Sequence, residues 1–256
     1  MSMFRTSVPP VVERTVLISS ILLLALAAWL ALWLSEDFAH SLLHLHNLDH
    51  HAWTPGTFMF LFVGGWTVMT VAMMLPTTLP VITIFHTFAG SRRDRAFLII
   101  LLITGYLGVW ILFGTVIYIG YLFLQRLVTS STLLTNHIWT GGPLILILAG
   151  LFQFSSIKHR CLEKCRSPLS FVVEHWQGRN EKWNAFRLGV DHGIFCVGCC
   201  WALMLLMFVV GFGSIGWMFI LAAIMAVEKN FPWGRQISTP LGIILISFGL
   251  ILLFIP

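Results

Sequence analysis

Cys196, Cys199 and Cys200 stand within five residues of one another in an apolar run that opens on Asp191-His192 and continues to Met204 and Met207. On an α-helix, at about 100° per residue, Cys196, Cys200 and Met207 fall within roughly 40° of each other, with Cys199 about 60° to one side. That is one sulfur-bearing stripe. Soft thiolate and thioether ligands select copper(I), thiolates also take zinc, and imidazole suits copper, zinc and nickel. A thiol in apolar surroundings is inert, so the stripe needs a cation beside it to become thiolate, either the metal or Lys229. The plain alternative is packing, because cysteines and Gly198 are small residues that let helices approach closely. Three cysteines so close together beside Asp-His favour a metal or redox site.

Other ligand types surround this motif in the sequence. Cys161 and Cys165, in CLEKC, share one face of a helical turn beside His159 and read equally as site or loop. Met69, Met73 and Met74 lie ahead of Pro76 and Pro80, as packing residues or as thioether ligands. The stretch EDFAHSLLHLHNLDHHAW holds His40, His44, His46, His50 and His51 without a lysine or arginine. As a helix it brings Asp37, His40, His44, Asn47 and His51 within about 80°, a candidate for metal capture or a neutral interfacial segment. The metal candidates are therefore Cys196, Cys199, Cys200, His192, Cys161, Cys165, Met69, Met73, Met74, His40, His44 and His51. Asp191 is expected to orient His192, and Glu228 to balance charge near the site.

The elements that must position these residues are membrane helices. The chain of 256 residues is 58% hydrophobic and 10% charged, where a soluble domain carries about a quarter charged residues. The net charge of +5 is better read as loop signals than as a nucleic-acid surface. Five cysteines, an odd number without regular spacing, argue against a secreted disulfide framework. The run at 15–34 is too long for a signal peptide and reads as a first span.

Spanning-length apolar stretches occur at 15–34, 57–86, 96–124, 141–157, 190–211, 214–229 and 237–255. The expectation is an all-α polytopic bundle of about seven transmembrane helices, a single integral membrane domain over 1–256 with a cytoplasmic loop at 158–189. With the N-terminus inside and the C-terminus outside, fourteen of the 15 lysines and arginines fall on the inner side, leaving Arg126 outside. All five cysteines then lie toward the inner face, and the histidine-rich loop lies outside. Pro76 and Pro80 should open the second span and free carbonyls that only protein or a cavity can satisfy. Trp53, Trp66, Trp139 and Trp217 read as interface markers, and SPLSFVVEHW as an amphipathic helix on the inner surface.

AMMLPTTLP (Ala72 to Pro80), AGLFQFSSIKHRCLEKCRSP (Ala149 to Pro168), GIFCVGCCWALMLLMFVVG (Gly193 to Gly211) and the Glu228-Lys229 pair resemble the bacterial predicted metal-binding integral membrane protein family. The resemblance covers roughly residues 60 to 235 and leaves the histidine-rich stretch outside. It implies transition-metal binding in a bacterial inner membrane. The expected function is copper handling, as transport or delivery, by a multi-pass inner-membrane protein with an intramembrane Cys/His/Met site. Copper(I) is the expected ion and zinc the alternative. The expected partners are the lipid bilayer, the metal ion and a metallochaperone or metalloenzyme, with no nucleic acid. A membrane thiol-disulfide oxidoreductase using the Cys196-x-x-Cys199 pair is the rival, and an assembly factor for a metalloenzyme a third reading. Phosphate-loop, Rossmann and Ser-His-Asp signatures are missing, so no hydrolase or nucleotide-driven pump is expected.

Overall fold

The computed structural model describes residues 10–34, 55–90, 94–130, 140–175, 180–210 and 214–254. Among them the chain is helical throughout, with no strand. The helices are α1 (Pro10–Leu34), α2 (Pro55–Met73), α3 (Leu79–Phe88), α4 (Arg95–Ser130), α5 (Gly141–Gln153), α6 (Ser156–Arg166), α7 (Pro168–His175), α8 (Glu181–Val210), α9 (Ile215–Asn230) and α10 (Gly234–Phe254), with a 3-10 turn at Pro76–Thr78 between α2 and α3. Five of them (α1, α2, α4, α8 and α10) are long and apolar enough to cross a membrane, which is consistent with a membrane protein.

This differs from seven uninterrupted spans, and each difference has a local cause. The stretch at 57–86 is two helices, because Pro76 lacks the N–H that would continue α2, and the chain tightens into one 3-10 turn. The stretch at 141–157 ends at Gln153, where Ser155 turns extended (φ −65°, ψ 135°) and its hydroxyl caps the amide of Ile157. Helices α5 and α6 consequently meet at 62° and would make a sixth crossing only as a bent pair. Helix α9 has 16 residues, short for a crossing. The segment 158–189 is built mainly of α6, α7 and the first turns of α8, which begins at Glu181 rather than near 190.

Helix α8 is the central element, and glycines let it seat closely on α4. A Cβ on Gly189 would stand 2.0 Å from the Leu102 carbonyl oxygen, and one on Gly105 would stand 2.4 Å from that of Phe186. The backbones touch there, as small residues permit in apolar bundles. On the opposite side α5 crosses α10 in the same way, with a Gly150 Cβ 2.9 Å from the Gly242 oxygen.

Three carbonyls at the break after α2 are taken up by side chains. Thr77 Oγ1 donates to Met74 O at 2.8 Å and Thr78 Oγ1 to Leu75 O at 2.7 Å. Trp29 Nε1 on α1 donates to Ala72 O at 3.1 Å. The expectation that this break lies inside protein holds, since Ala72, Met73, Met74 and Leu75 are all buried.

Trp66 corrects its reading as an interface marker. It is 2% exposed, donates through Nε1 to Trp110 O at 3.1 Å, and lies over Gly114, where a Cβ would come within 2.5 Å of its ring. It is a core residue among Trp110, Phe113 and Phe208. Trp217 is half exposed, and Trp53 and Trp139 lie outside the described residues.

Candidate metal centre

The period of α8 carries His192, Cys196, Cys199 and Cys200 along one buried side of the helix, and all four are 3% exposed or less. The thiols of Cys199 and Cys200 fold back on their own helix and donate to the Cys196 carbonyl at 3.1 and 2.9 Å. Cys196 Sγ does not fold back. It meets the Tyr106 hydroxyl at 3.1 Å and receives the Lys229 ammonium at 3.0 Å.

Lys229 comes from the last turn of α9, and its head lies among three sulfurs. Nζ is 3.0 Å from Cys196 Sγ, 3.3 Å from Met74 Sδ and 3.7 Å from Cys200 Sγ. An ammonium has three N–H donors, so this one is fully satisfied by sulfur. Cys200 Sγ also lies 3.8 Å from Met74 Sδ. Met74 reaches the cluster because it occupies the first position after α2, where the chain leaves the helix ahead of Pro76. The result is a soft, fully buried cradle of two thiols and one thioether that holds a cation.

Two residues beneath this cradle carry opposite charges. Lys158, at the start of α6, donates to Glu228 Oε1 at 2.6 Å and to the Gln153 side-chain oxygen. Ser238 Oγ donates to the same Glu228 oxygen at 2.7 Å. The pair is 0% and 2% exposed at its side chains. Glu228 thus faces Lys158 and Ser238, while its neighbour Lys229 faces the sulfurs.

Cys161 packs against α8 at Gly198, where a Cβ would stand 2.7 Å from its sulfur. Cys165 interacts with Cys199. Both α6 cysteines are partly exposed, and all five are free thiols. His192 lies between the rings of Tyr106 and Phe171, at centroid distances of 5.7 and 5.6 Å, and its buried Nδ1 has no hydrogen-bond partner. Asp191 turns away from His192 and meets His175 Nε2 at 3.1 Å and Arg187 Nε at 3.5 Å. Met69 and Met73 are buried in the core, and Met73 lines a cleft of about 250 Å³ between the break and α9. His40, His44 and His51 lie outside the described residues.

Sequence reasoning passed over Tyr106 and Lys158. Tyr106 is one of three tyrosines, placed beside Gly105 in an apolar run, and a hydroxyl that deep must find a partner. Lys158 was read only as a topology signal. Among the described residues no three side chains of His, Cys, Asp or Glu are gathered as a metal-holding group. The thioether of Met74 completes the trio that does meet.

Residues 63–252 match a protein-family model described as PpoB2: Copper chaperone. No curated protein and no solved structure matches the chain.

Proposed function

The chain belongs to the PpoB2 copper chaperone family, and from that premise we propose that it binds copper(I) inside a bacterial inner membrane and delivers it to a protein partner. The ion is held by Cys196, Cys200 and Met74, with Cys199 and His192 as further ligands along the same side of α8. Cys161 and Cys165, partly exposed, are the relay between this site and the inner surface. Met69 and Met73 continue the thioether series within the core, and His40, His44 and His51 capture the ion on the outer side.

The observation that carries this reading is the placement of three soft sulfurs around a cation within 3.7 Å. A thioether beside two thiols suits copper(I), the soft ion that takes both Cys and Met. The Cys200–Met74 separation of 3.8 Å also supports it, since two sulfurs each about 2.3 Å from a shared ion at a tetrahedral angle lie about 3.8 Å apart. Delivery is preferred to transport because the family is described as a chaperone family.

Metal analysis of detergent-purified protein tests the reading. The wild type carries copper, and the Cys196→Ser, Cys199→Ser, Cys200→Ser triple variant inserts and purifies without it. Unchanged copper in the triple variant rules the site out.

A further inference from the structure

We propose that the Lys229 ammonium is a resident cation that copper(I) displaces on loading and that drives the ion out again when it returns. This rests on the reading of Cys196, Cys200 and Met74 as the copper ligands. It adds a release device to that site.

The geometry makes the two cations mutually exclusive. Nζ lies 3.0 to 3.7 Å from the same three sulfurs that would hold the ion. An ion shared by those sulfurs lies within a few ångströms of Nζ on either side of their plane. Two positive charges so close in a buried site repel strongly. The ammonium must therefore move before or as the ion settles.

The surroundings give it somewhere to go. Lys229 lies one residue before the end of α9, whose next residue, Asn230, is exposed. A four-carbon stem rooted in the last turn can carry its charged head toward the boundary. A cleft of about 250 Å³ is lined by Met73 and Asn230, the chain neighbours of Met74 and Lys229. The Glu228 carboxylate is already engaged by Lys158 and Ser238, so it does not hold Lys229 in place.

Loading is then an exchange of the ammonium for copper(I) at Cys196, and Cys200, whose thiol donates to the Cys196 carbonyl in the metal-free protein, releases its proton to solvent as it becomes a ligand. Copper stays in the +1 state and no electron moves. The reverse exchange has a use in a chaperone, because Cys200 can take back a proton as the ion leaves, whereas a buried Cys196 thiolate without a counter-cation would be a poor state from which to release it. The returning ammonium supplies that counter-cation as copper passes to its acceptor.

Two measurements test this. The first labels amines on anaerobic wild-type protein in detergent, with and without one equivalent of copper(I), and reads Lys229 by peptide mass spectrometry. Labelling of Lys229 is expected to rise severalfold on loading while that of Lys164, an exposed residue, stays constant. No change at Lys229 in a copper-loaded sample overturns the proposal. The second follows removal of copper by a copper(I) chelator from wild type and from Lys229→Leu. Release is expected to slow at least tenfold in the variant, and equal or faster release overturns the proposal. If the variant fails to fold, the labelling of wild type decides alone. The underlying site fails separately, through copper retained by the Cys196→Ser, Cys200→Ser variant, and that outcome removes both.

Discussion

The backbone of Gly189 lies against the carbonyl of Leu102 so closely that a Cβ there would stand 2.0 Å from the oxygen. This contact seats α8 on α4 and thereby brings Cys196 to Tyr106. Gly189→Ala should force the two helices apart and destabilise the protein by at least the about 1–3 kcal/mol of a tolerated overpacking, because the obstacle is backbone. Gly108→Ala, on the same α4 but with nothing within 4 Å of the new methyl, should leave the thermal midpoint in detergent near that of wild type. Equal midpoints for the two variants would remove the close crossing from the account.

The buried Lys158–Glu228 pair gives a second test. Removing either charge leaves the other uncompensated, at a cost of about 3–5 kcal/mol, whereas replacing both with apolar residues is often neutral. Lys158→Met and Glu228→Gln should each lower the unfolding midpoint sharply. The double variant Lys158→Met, Glu228→Leu should recover most of the loss. A double variant as unstable as the sum of the singles would mean that the two residues act independently.

Thiol accessibility is predicted by depth. Cys161 and Cys165 are partly exposed, while Cys196, Cys199 and Cys200 are 2% exposed or less. A water-soluble maleimide should modify Cys161 first on folded, metal-free protein, Cys165 more slowly because its thiol meets the buried Cys199, and the last three only after denaturation. The same labelling, repeated after oxidation and reduction, tests the oxidoreductase reading, which requires a reversible Cys196–Cys199 disulfide. Copper loading with no such disulfide is the expected result.

Tyr106→Phe removes only the hydroxyl, which meets Cys196 Sγ at 3.1 Å and donates at the long distance of 3.5 Å to Met74 O. The contact with Cys196 contributes about 0.5–1.5 kcal/mol net, and the 3.5 Å contact with Met74 O adds little at that length. The variant should keep its helix content and lose stability within that range. A loss several times larger would show that the hydroxyl holds the break at Met74 as well as the thiol.

Much of this arrangement was legible in the sequence, and the parts that were not share a physical reason. Apolar runs of spanning length announced the helices, and Pro76 and Pro80 announced the break, because both signals are local. The sulfur stripe followed from helical period alone. What could not be read was which side chains from other helices would face it. Met74 was one of three candidate methionines ahead of Pro76, and its selection depends on the chain leaving α2 at that residue. Tyr106 meets Cys196 only because Gly105 and Gly189 let two backbones touch, which is a relation between distant positions. The bend at Ser155 was hidden because the apolar run continues through it, and the capping hydroxyl shows only once the helix has turned. Glu228 was expected to balance charge near the site, and its partner Lys158 could not be read, since adjacent residues on a helix point about 100° apart and Glu228 faces another helix than Lys229 does.

The interruption between α2 and α3 has a mechanical consequence. Cys196 and Cys200 ride on an unbroken helical rod, whereas Met74 is mounted at the joint where another rod is cut. A short 3-10 segment between helices is where such a chain yields most readily. A small rotation about that joint would shift the thioether relative to the two thiols without dragging either flanking helix, so under the proposed copper site the adjustment to an ion's radius would fall to Met74.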